Sequence, residues 1–522
     1  MALGIGWKQK GDGKNVPLGE VVKPNERLSW GRTIGFGIQH VFAMFGATFV
    51  FPLLMGLNPQ FGIMMSGVAT ILFLLIVRGR IPSYLGTSAS FMGAVAVIAA
   101  QTASSGEDYA ATLTGAILIA GLLLIVVGVI VHFLGGAVVS RVLPPAVTGA
   151  VVMLIGFNLA PVVAGVYWPK DQWVALITMI VAVVAALALR GFAARIAILI
   201  SLIVGTLVSW LLDLMKVGVA EQTDATGATI PGQYPRFNLD QLGSADWIGL
   251  PQTIEGATGP LAGPHLPIFS MAAILVVIPG VIALIAENAG HVKAVAEMTG
   301  DDLDKSMGSA FIGDGVGTAV SSAFGGPPTT TYAENIGVMA ATRVYSTAAY
   351  WVAAIVAILL GFSPKFGALI AAIPQGVLGG ITVVLYGMIG LLGAKIWVEN
   401  RVDFGNPINL VPMAAGLIIG IGDVKLTFSK DFTISGIALG TIAVIVLYHL
   451  GRAIAPRELK EDLARGQDSE IVDGTSMSVG EVRGADGRVH SPWESRSQGP
   501  GAHTSHGEVP PQAPPPGDRP AR

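Results

Sequence analysis

From Thr33 to about Gly451 the sequence is a succession of apolar runs, most of them close to the length of a membrane helix, separated by short polar turns. About 20 apolar residues carry an α-helix across a bilayer. Inside the hydrocarbon every backbone group must be bonded within the protein, so such runs become helices, and irregular backbone survives only where it lines a cavity or is buried. The runs fall near 33–56, 60–78, 82–101, 110–134, 138–160, 172–190 and 194–215. After a polar interval at 216–265 they resume near 267–291, 306–324, 327–343, 346–363, 367–394, 406–423 and 432–451. The expected fold class is an all-α polytopic membrane protein with 14 transmembrane segments, seven plus seven. Composition agrees: 12% of the 522 residues are charged and 52% are hydrophobic, where soluble domains carry roughly 25% charged residues. The absence of cysteine excludes disulfides and thiolate metal sites. The polar start has no apolar core followed by small residues, so no cleaved signal peptide is expected.

The two sets read as copies of one another. Segment 1 contains Gly37-Ile38-Gln39-His40, and segment 8 contains Ala286-Glu287-Asn288-Ala289-Gly290-His291. Segment 3 opens Pro82-Ser83-Tyr84-Leu85-Gly86-Thr87-Ser88, and segment 10 opens Pro328-Thr329-Thr330-Thr331-Tyr332. Segments 5 and 12 both begin at a proline followed by small residues, Pro144-Pro145-Ala146 and Pro374-Gln375-Gly376. Seven spans is an odd number, so the second copy enters the membrane from the opposite side. That is an inverted repeat, the usual plan of a secondary transporter.

The implied organisation is a basic cytoplasmic N-terminal tail (1–32), a first repeat (33–215), an extracellular loop (216–265), a second repeat (266–453) and a cytoplasmic tail (454–522). Lys and Arg are more frequent in the loops on the side of the N-terminus, which places both termini inside. The last tail is rich in charge, Gly, Ser and Pro and ends in Pro510-Pro511-Gln512-Ala513-Pro514-Pro515-Pro516. It lacks the apolar surface to offset the entropy of ordering and is expected to be disordered, with a proline-rich docking role as the sharper alternative.

Ordinary membrane helices do not contain a stretch such as Pro327-Pro328-Thr329-Thr330-Thr331-Tyr332-Ala333-Glu334-Asn335-Ile336-Gly337. The prolines and β-branched threonines favour extended backbone, after which a helix can start near Ala333. Segment 10 is thus expected to be a broken span with Glu334 at the break, and in transporters such breaks mark the substrate site. Few other ionisable side chains lie in the spans, and each is costly there. They are Glu287 and His291, one helical turn apart on one face, with Asp314 and His40. Glu287 and His291 are expected to form a protonatable unit, or a salt bridge at a helix end. Glu334 binds a ligand N–H, caps its own half-helix, or does both.

The run Glu334-Asn335-Ile336-Gly337 followed by Thr342-Arg343-Val344-Tyr345-Ser346 resembles the signature of the nucleobase–ascorbate transporter family, and most closely its uracil permease branch, over residues 33 to about 453. The resemblance implies that segments 1–4 and 8–11 form a core domain holding the substrate and that 5–7 and 12–14 form a gate domain. It makes Glu287, Glu334 and His291 substrate-binding and proton-coupling groups. Segment 3, near Ser88 and Ala89, and segment 10 at Ala333 would bond the base through the main chain. The branch often has a bulky aromatic residue where Ala89 stands, so a roomier pocket is expected here. Tyr386 would approach the substrate from the gate. Gln39, His40, Asp314 and Asn335 would support the site. A Glu at the start of the signature, where the purine branch typically has Gln, favours pyrimidines.

Uracil suits these groups. Its two N–H donors can meet carboxylates, and its two carbonyls can meet free helix-end N–H groups, so every buried polar edge is satisfied. An anion would call for Arg or Lys at the breaks, and only Arg343, at the far end of segment 10, is near. No phosphate-binding Gly-Lys-Ser/Thr loop is present, so ATP does not drive the cycle. The expected function is therefore proton-coupled import of a nucleobase across a bacterial inner membrane, with a purine permease or an anion exchanger on the same plan as alternatives. No cofactor is expected beyond co-transported H⁺. Na⁺ stays open as the coupling ion, because threonine hydroxyls and freed carbonyls can bind it. The expected partners are the nucleobase and the bilayer, with no nucleic acid, and a homodimer is among the options. No nucleophile or metal constellation suggests an enzyme.

Overall fold

The computed structural model describes residues 6–468, apart from 15, 17–19, 136–140, 191, 220–221, 224–228, 231–234, 238–239, 257–258, 430–431 and 435, together with 482–483 and 489–490. Local chemistry sets where its helices begin. Asn58 caps the helix that follows it by accepting from Gln60 N at 2.8 Å, with Pro59 in the first turn. Asp108 does the same for Ala111 N at 2.9 Å. Both placements satisfy N–H groups that a helix start leaves unbonded.

The spans are Trp30–Leu54, Pro59–Ile76, a broken third (Leu85–Thr87 and Met92–Ser105), Tyr109–Leu134, Pro145–Lys170, Gln172–Ala188 and Ala197–Leu214. The second set is Met271–Thr299, Met307–Ala323, a broken tenth (Thr329–Thr331 and Ala333–Thr342), Thr347–Gly361, Gln375–Glu399, Pro407–Ile421 and Gly436–Ile454. By length and apolarity, 8 of these helices can cross a membrane unaided. The other segments are shorter or broken.

Packing follows an inverted twofold pattern. Segment 4 packs on segment 9 as segment 11 packs on segment 2. Segment 1 meets 11 as 8 meets 4, and 6 meets 7 as 13 meets 14. Segments 5 and 12 pack on each other. The strand of segment 3 lies antiparallel to the strand of segment 10. Segments 1–4 and 8–11 pack mainly among themselves, and so do 5–7 and 12–14. Glycine permits the tightest crossings. At Gly121 of segment 4 a Cβ would come within 2.8 Å of Ala319 N and 2.9 Å of the Gly315 carbonyl of segment 9.

Several boundaries differ from the sequence expectation. The chain between segments 11 and 12 forms a separate helix, Pro364–Ala371, bent 83° from Thr347–Gly361, so segment 12 starts at Gln375 rather than 367. Ser363 with Pro364 starts the short helix, and Pro374 blocks its continuation into the next. Segment 8 runs on to Thr299, so His291 lies within a helix and not at its end. The described part of the basic N-terminal stretch is folded against the second repeat. Lys8–Gln9 pairs with Glu26–Arg27, Val22 N donates to the Arg343 carbonyl (2.9 Å), and Tyr345 N donates to the Val22 carbonyl (2.8 Å). Trp7 Nε1 reaches Thr347 Oγ1 at 2.8 Å. Buried Val22, Leu28 and Val344 supply the apolar contact that holds this fold.

The interval 216–265 also carries structure, including a hairpin of Ile254–Gly256 with Gly259–Leu261. Arg236 is buried there against Asp171 (2.6 Å) and Asp213 (3.1 Å). Beyond Ile454 a helix runs over Arg457–Asp468, in a stretch expected to be unstructured. The chain separates into Met1–Leu463 and Ala464–Arg522. In the latter, Val482–Arg483 pairs with Val489–His490, and the proline-rich end lies outside the described residues.

Candidate functional site

The two strands cross where the sequence places the helix breaks. Leu85 lies opposite Thr331, Gly86 opposite Thr330 and Thr87 opposite Thr329. Ser88 N extends the ladder to the Pro328 carbonyl at 2.8 Å, and Tyr332 N does so to the Tyr84 carbonyl at 3.0 Å. Each strand alone would leave buried N–H and C=O groups unbonded, a penalty the crossing removes. Tyr332 locks it by donating its hydroxyl to the Thr87 carbonyl at 2.7 Å. Gly86 is required here, because a Cβ would run into the Tyr332 ring and stand 2.6 Å from Thr48 Oγ1.

A half-helix leaves each strand: Met92–Ser105 after the first, Ala333–Thr342 after the second. Neither has a side chain capping its N-terminus. In the first, Met92 N donates to the Ala89 carbonyl and Ala94 N to the Phe91 carbonyl, both at 3.0 Å, whereas Ala333 N of the second has no hydrogen-bond partner among the described residues; both carry the positive end of a helix dipole. Glu334 sits in the first turn of its half-helix, half-buried, with Ala333 exposed before it. Glu287 of segment 8 is half-buried, within electrostatic reach of both Asp314 and Glu334. Its one described hydrogen bond is a long contact from Ser90 Oγ at 3.5 Å. Ser88 is buried and accepts from Ser90 N at 3.2 Å, and Ala89 between them is half-buried. Segments 3, 8 and 10 therefore converge, bringing two carboxylate acceptors together with the free backbone donor at Ala333.

Behind this front stand two polar networks. Asp314 of segment 9 is fully buried and accepts from Asn288 Nδ2. Asn288 Oδ1 accepts from Thr331 Oγ1 at 2.8 Å, and Thr331 Oγ1 lies 2.7 Å from His291 Nδ1. On the other side Asn335 Nδ2 is 3.1 Å from His40 Nδ1 and 3.0 Å from the His40 carbonyl. The His40 ring stacks on Tyr350 with centroids 4.4 Å apart. Gln39 is half-buried beside it.

With the geometry in place, comparison with known proteins decides the family. A model of the Permease family, Xan_ur_permease, matches residues 31–428. The chain belongs to the Permease family. The permease is 44% identical over 432 residues, 82% of its own length and 91% of the other's, to a protein of Escherichia coli (strain K12) named as pyrimidine permease RutG. It is 34% identical over 442 residues to the uracil permease of Paenibacillus larvae, covering 82% of this chain and 96% of that one. Its fold matches the inward-facing structure of the murine Slc26a9 anion transporter with a TM-score of 0.56 at 11% identity, over 81% of this chain and 68% of that one.

Sequence reasoning and structure part at some residues of the permease. Glu287 and His291 form no ion pair among the described residues: Glu287 faces Ser90 while His291 is held by Thr331. The strand of segment 10 passes close to His291 and takes its Nδ1. Tyr386 of segment 12 is buried, and its hydroxyl has no hydrogen-bond partner among the described residues. Asn288, Thr331, Tyr332 and Tyr350 were given no role. The polarity of Asn288 and Thr331 inside spans was the available signal. Nothing local marks Tyr350, whose partner is 310 positions upstream at His40.

Proposed function

We propose that this permease imports uracil or a closely related pyrimidine together with protons, by alternating access of the segment 1–4/8–11 group against the segment 5–7/12–14 group. The observation that carries this reading is the convergence of Glu287 and Glu334 on the crossed strands, between two half-helices with uncapped N-termini. Carboxylates accept from ring N–H groups, and the free main-chain N–H at the start of Ala333–Thr342 donates to a ring carbonyl. The names of the relatives support the same substrate class. Ionisable side chains inside membrane spans commonly serve as proton relays, which suits coupling to a proton gradient. The absence of a cationic side chain at either break weighs against an anion as cargo: Arg343 is at the far end of its helix, in a left-handed conformation, with its carbonyl bonded to Val22 N. We place the protein in a bacterial inner membrane with both termini cytoplasmic and leave a homodimer as one option. The deciding test is labelled uracil uptake into proteoliposomes with an imposed pH gradient, in competition with thymine, cytosine, xanthine and hypoxanthine. Competition by thymine but not by purines is expected. Competition by xanthine alone would move the assignment to purines, and anion flux insensitive to every base would move it to anion exchange.

A further inference from the structure

Asn288 is fully buried and all of its polar side-chain atoms are engaged. Its Nδ2 faces the Leu284 carbonyl at 3.1 Å and the Asp314 carboxyl oxygen Oδ2. A flipped amide would set oxygen against oxygen at both, so these partners fix its orientation. Oδ1 therefore points at Thr331 Oγ1, 2.8 Å away. An amide oxygen only accepts, so Thr331 commits its one proton to it. The other neighbour of that hydroxyl is His291 Nδ1 at 2.7 Å. With its proton engaged, Thr331 Oγ1 can only accept, and Nδ1 must carry the hydrogen. In a neutral imidazole the lone pair then stays on Nε2. No hydrogen bond to Nε2 occurs among the described residues, and the His291 side chain is half-buried on the helix face it shares with Glu287, one turn away.

We propose that Asn288 and Thr331 are positioning residues that hold neutral His291 as its Nδ1–H tautomer, so that Nε2 presents a hydrogen-bond acceptor to the ligand beside Glu287. The ligand part of this statement rests on the site read above; the tautomer does not. The edge formed by Glu287 and His291 then accepts only, and a single ring N–H is shared between the Glu287 carboxylate and Nε2. It selects neutral heterocycles that turn N–H donors towards it, such as cyclic ureides and lactams. A ring that offers a bare nitrogen, a carbonyl or an N-methyl group there meets lone pair against lone pair or loses the bond, and sites built to hydrogen-bond a substrate N–H reject such analogues strongly.

The test is nitrogen-15 NMR of the full-length purified protein labelled at histidine, at a pH where His291 is neutral. Its signals are identified by their loss in His291→Gln among the eight histidines. The wild type should show a protonated Nδ1 and a lone-pair Nε2. Thr331→Val, which keeps the shape and removes the hydroxyl, should shift the ring towards the other tautomer, and Thr331→Ser should restore it. In uptake, KM for uracil should rise about tenfold in Thr331→Val and recover in Thr331→Ser, a change of about 1.4 kcal/mol, with weaker discrimination against N-methyluracils. A protonated Nε2 in the wild type, or an Nδ1–H tautomer unmoved by Thr331→Val, overturns the proposal. A wild type with the expected tautomer that takes up no pyrimidine removes the transport reading and leaves the positioning role standing.

Discussion

At the scale of single residues, Glu334 separates binding from coupling. Glu334→Gln keeps size and hydrogen-bonding capacity but cannot ionise. A hydrogen bond to a charged group is worth about 1.5–3 kcal/mol, so uracil affinity should fall roughly tenfold to hundredfold. Accumulation against a gradient should vanish, while base-for-base exchange survives at high substrate concentration. Calorimetry with uptake in proteoliposomes reads both, and wild-type binding together with accumulation would reduce Glu334 to a helix cap. Asp314→Asn is the contrasting change. Asp314 bonds to Asn288 behind the site, and an amide oxygen can still accept from Asn288 Nδ2, so most of the binding should persist.

At the scale of elements, the crossed strands are the part that cannot be exchanged for helix. Replacing Pro328 and Thr330 together by alanine favours helical continuity through the break, and transport should be lost while the protein still inserts. Wild-type uptake by that double variant would show the break to be dispensable. Gly86→Val gives a sharper version, because its side chain collides with Tyr332 and Thr48 at the crossing. The expected outcome is loss of uracil binding with a lowered melting temperature. Recovery of binding when Tyr332→Ala is added would locate the damage at that contact.

At the scale of the whole molecule, the proposed cycle has two groups of helices moving relative to each other while still holding together. Uptake driven by protons should fall as external pH rises, and a protonophore should abolish accumulation. Uphill uptake that survives a protonophore and stops when Na⁺ is removed would assign the coupling to sodium. Outside the membrane core, Arg236 ties the long loop to segments 6 and 7 through Asp171 and Asp213. Removing one member of a buried ion pair costs about 3–5 kcal/mol because its partner is left buried and unpaired. Arg236→Ala should therefore lower the melting temperature clearly, and an unchanged melting curve would show the pair to be solvated.

The sequence by itself determined the number and order of spans, the inverted repeat, the two helix breaks and the residues at them. These follow from chain-local physics: apolar length sets a span, and proline with threonine disfavours helix wherever the segment ends up. It also marked Glu287, Glu334, His291 and Asp314, because a charged side chain inside an apolar run needs a reason. Only the tertiary structure decided which of these side chains touch. Glu287 and His291 are neighbours on one helix, yet Thr331, from another segment, holds His291. His40 is bonded by Asn335 and stacked on Tyr350 across most of the chain. The folding of the first residues onto Arg343–Thr347 and the bend at Pro364 were also hidden. Hydrogen-bond partners over hundreds of positions depend on which strands cross, and no local pattern records that.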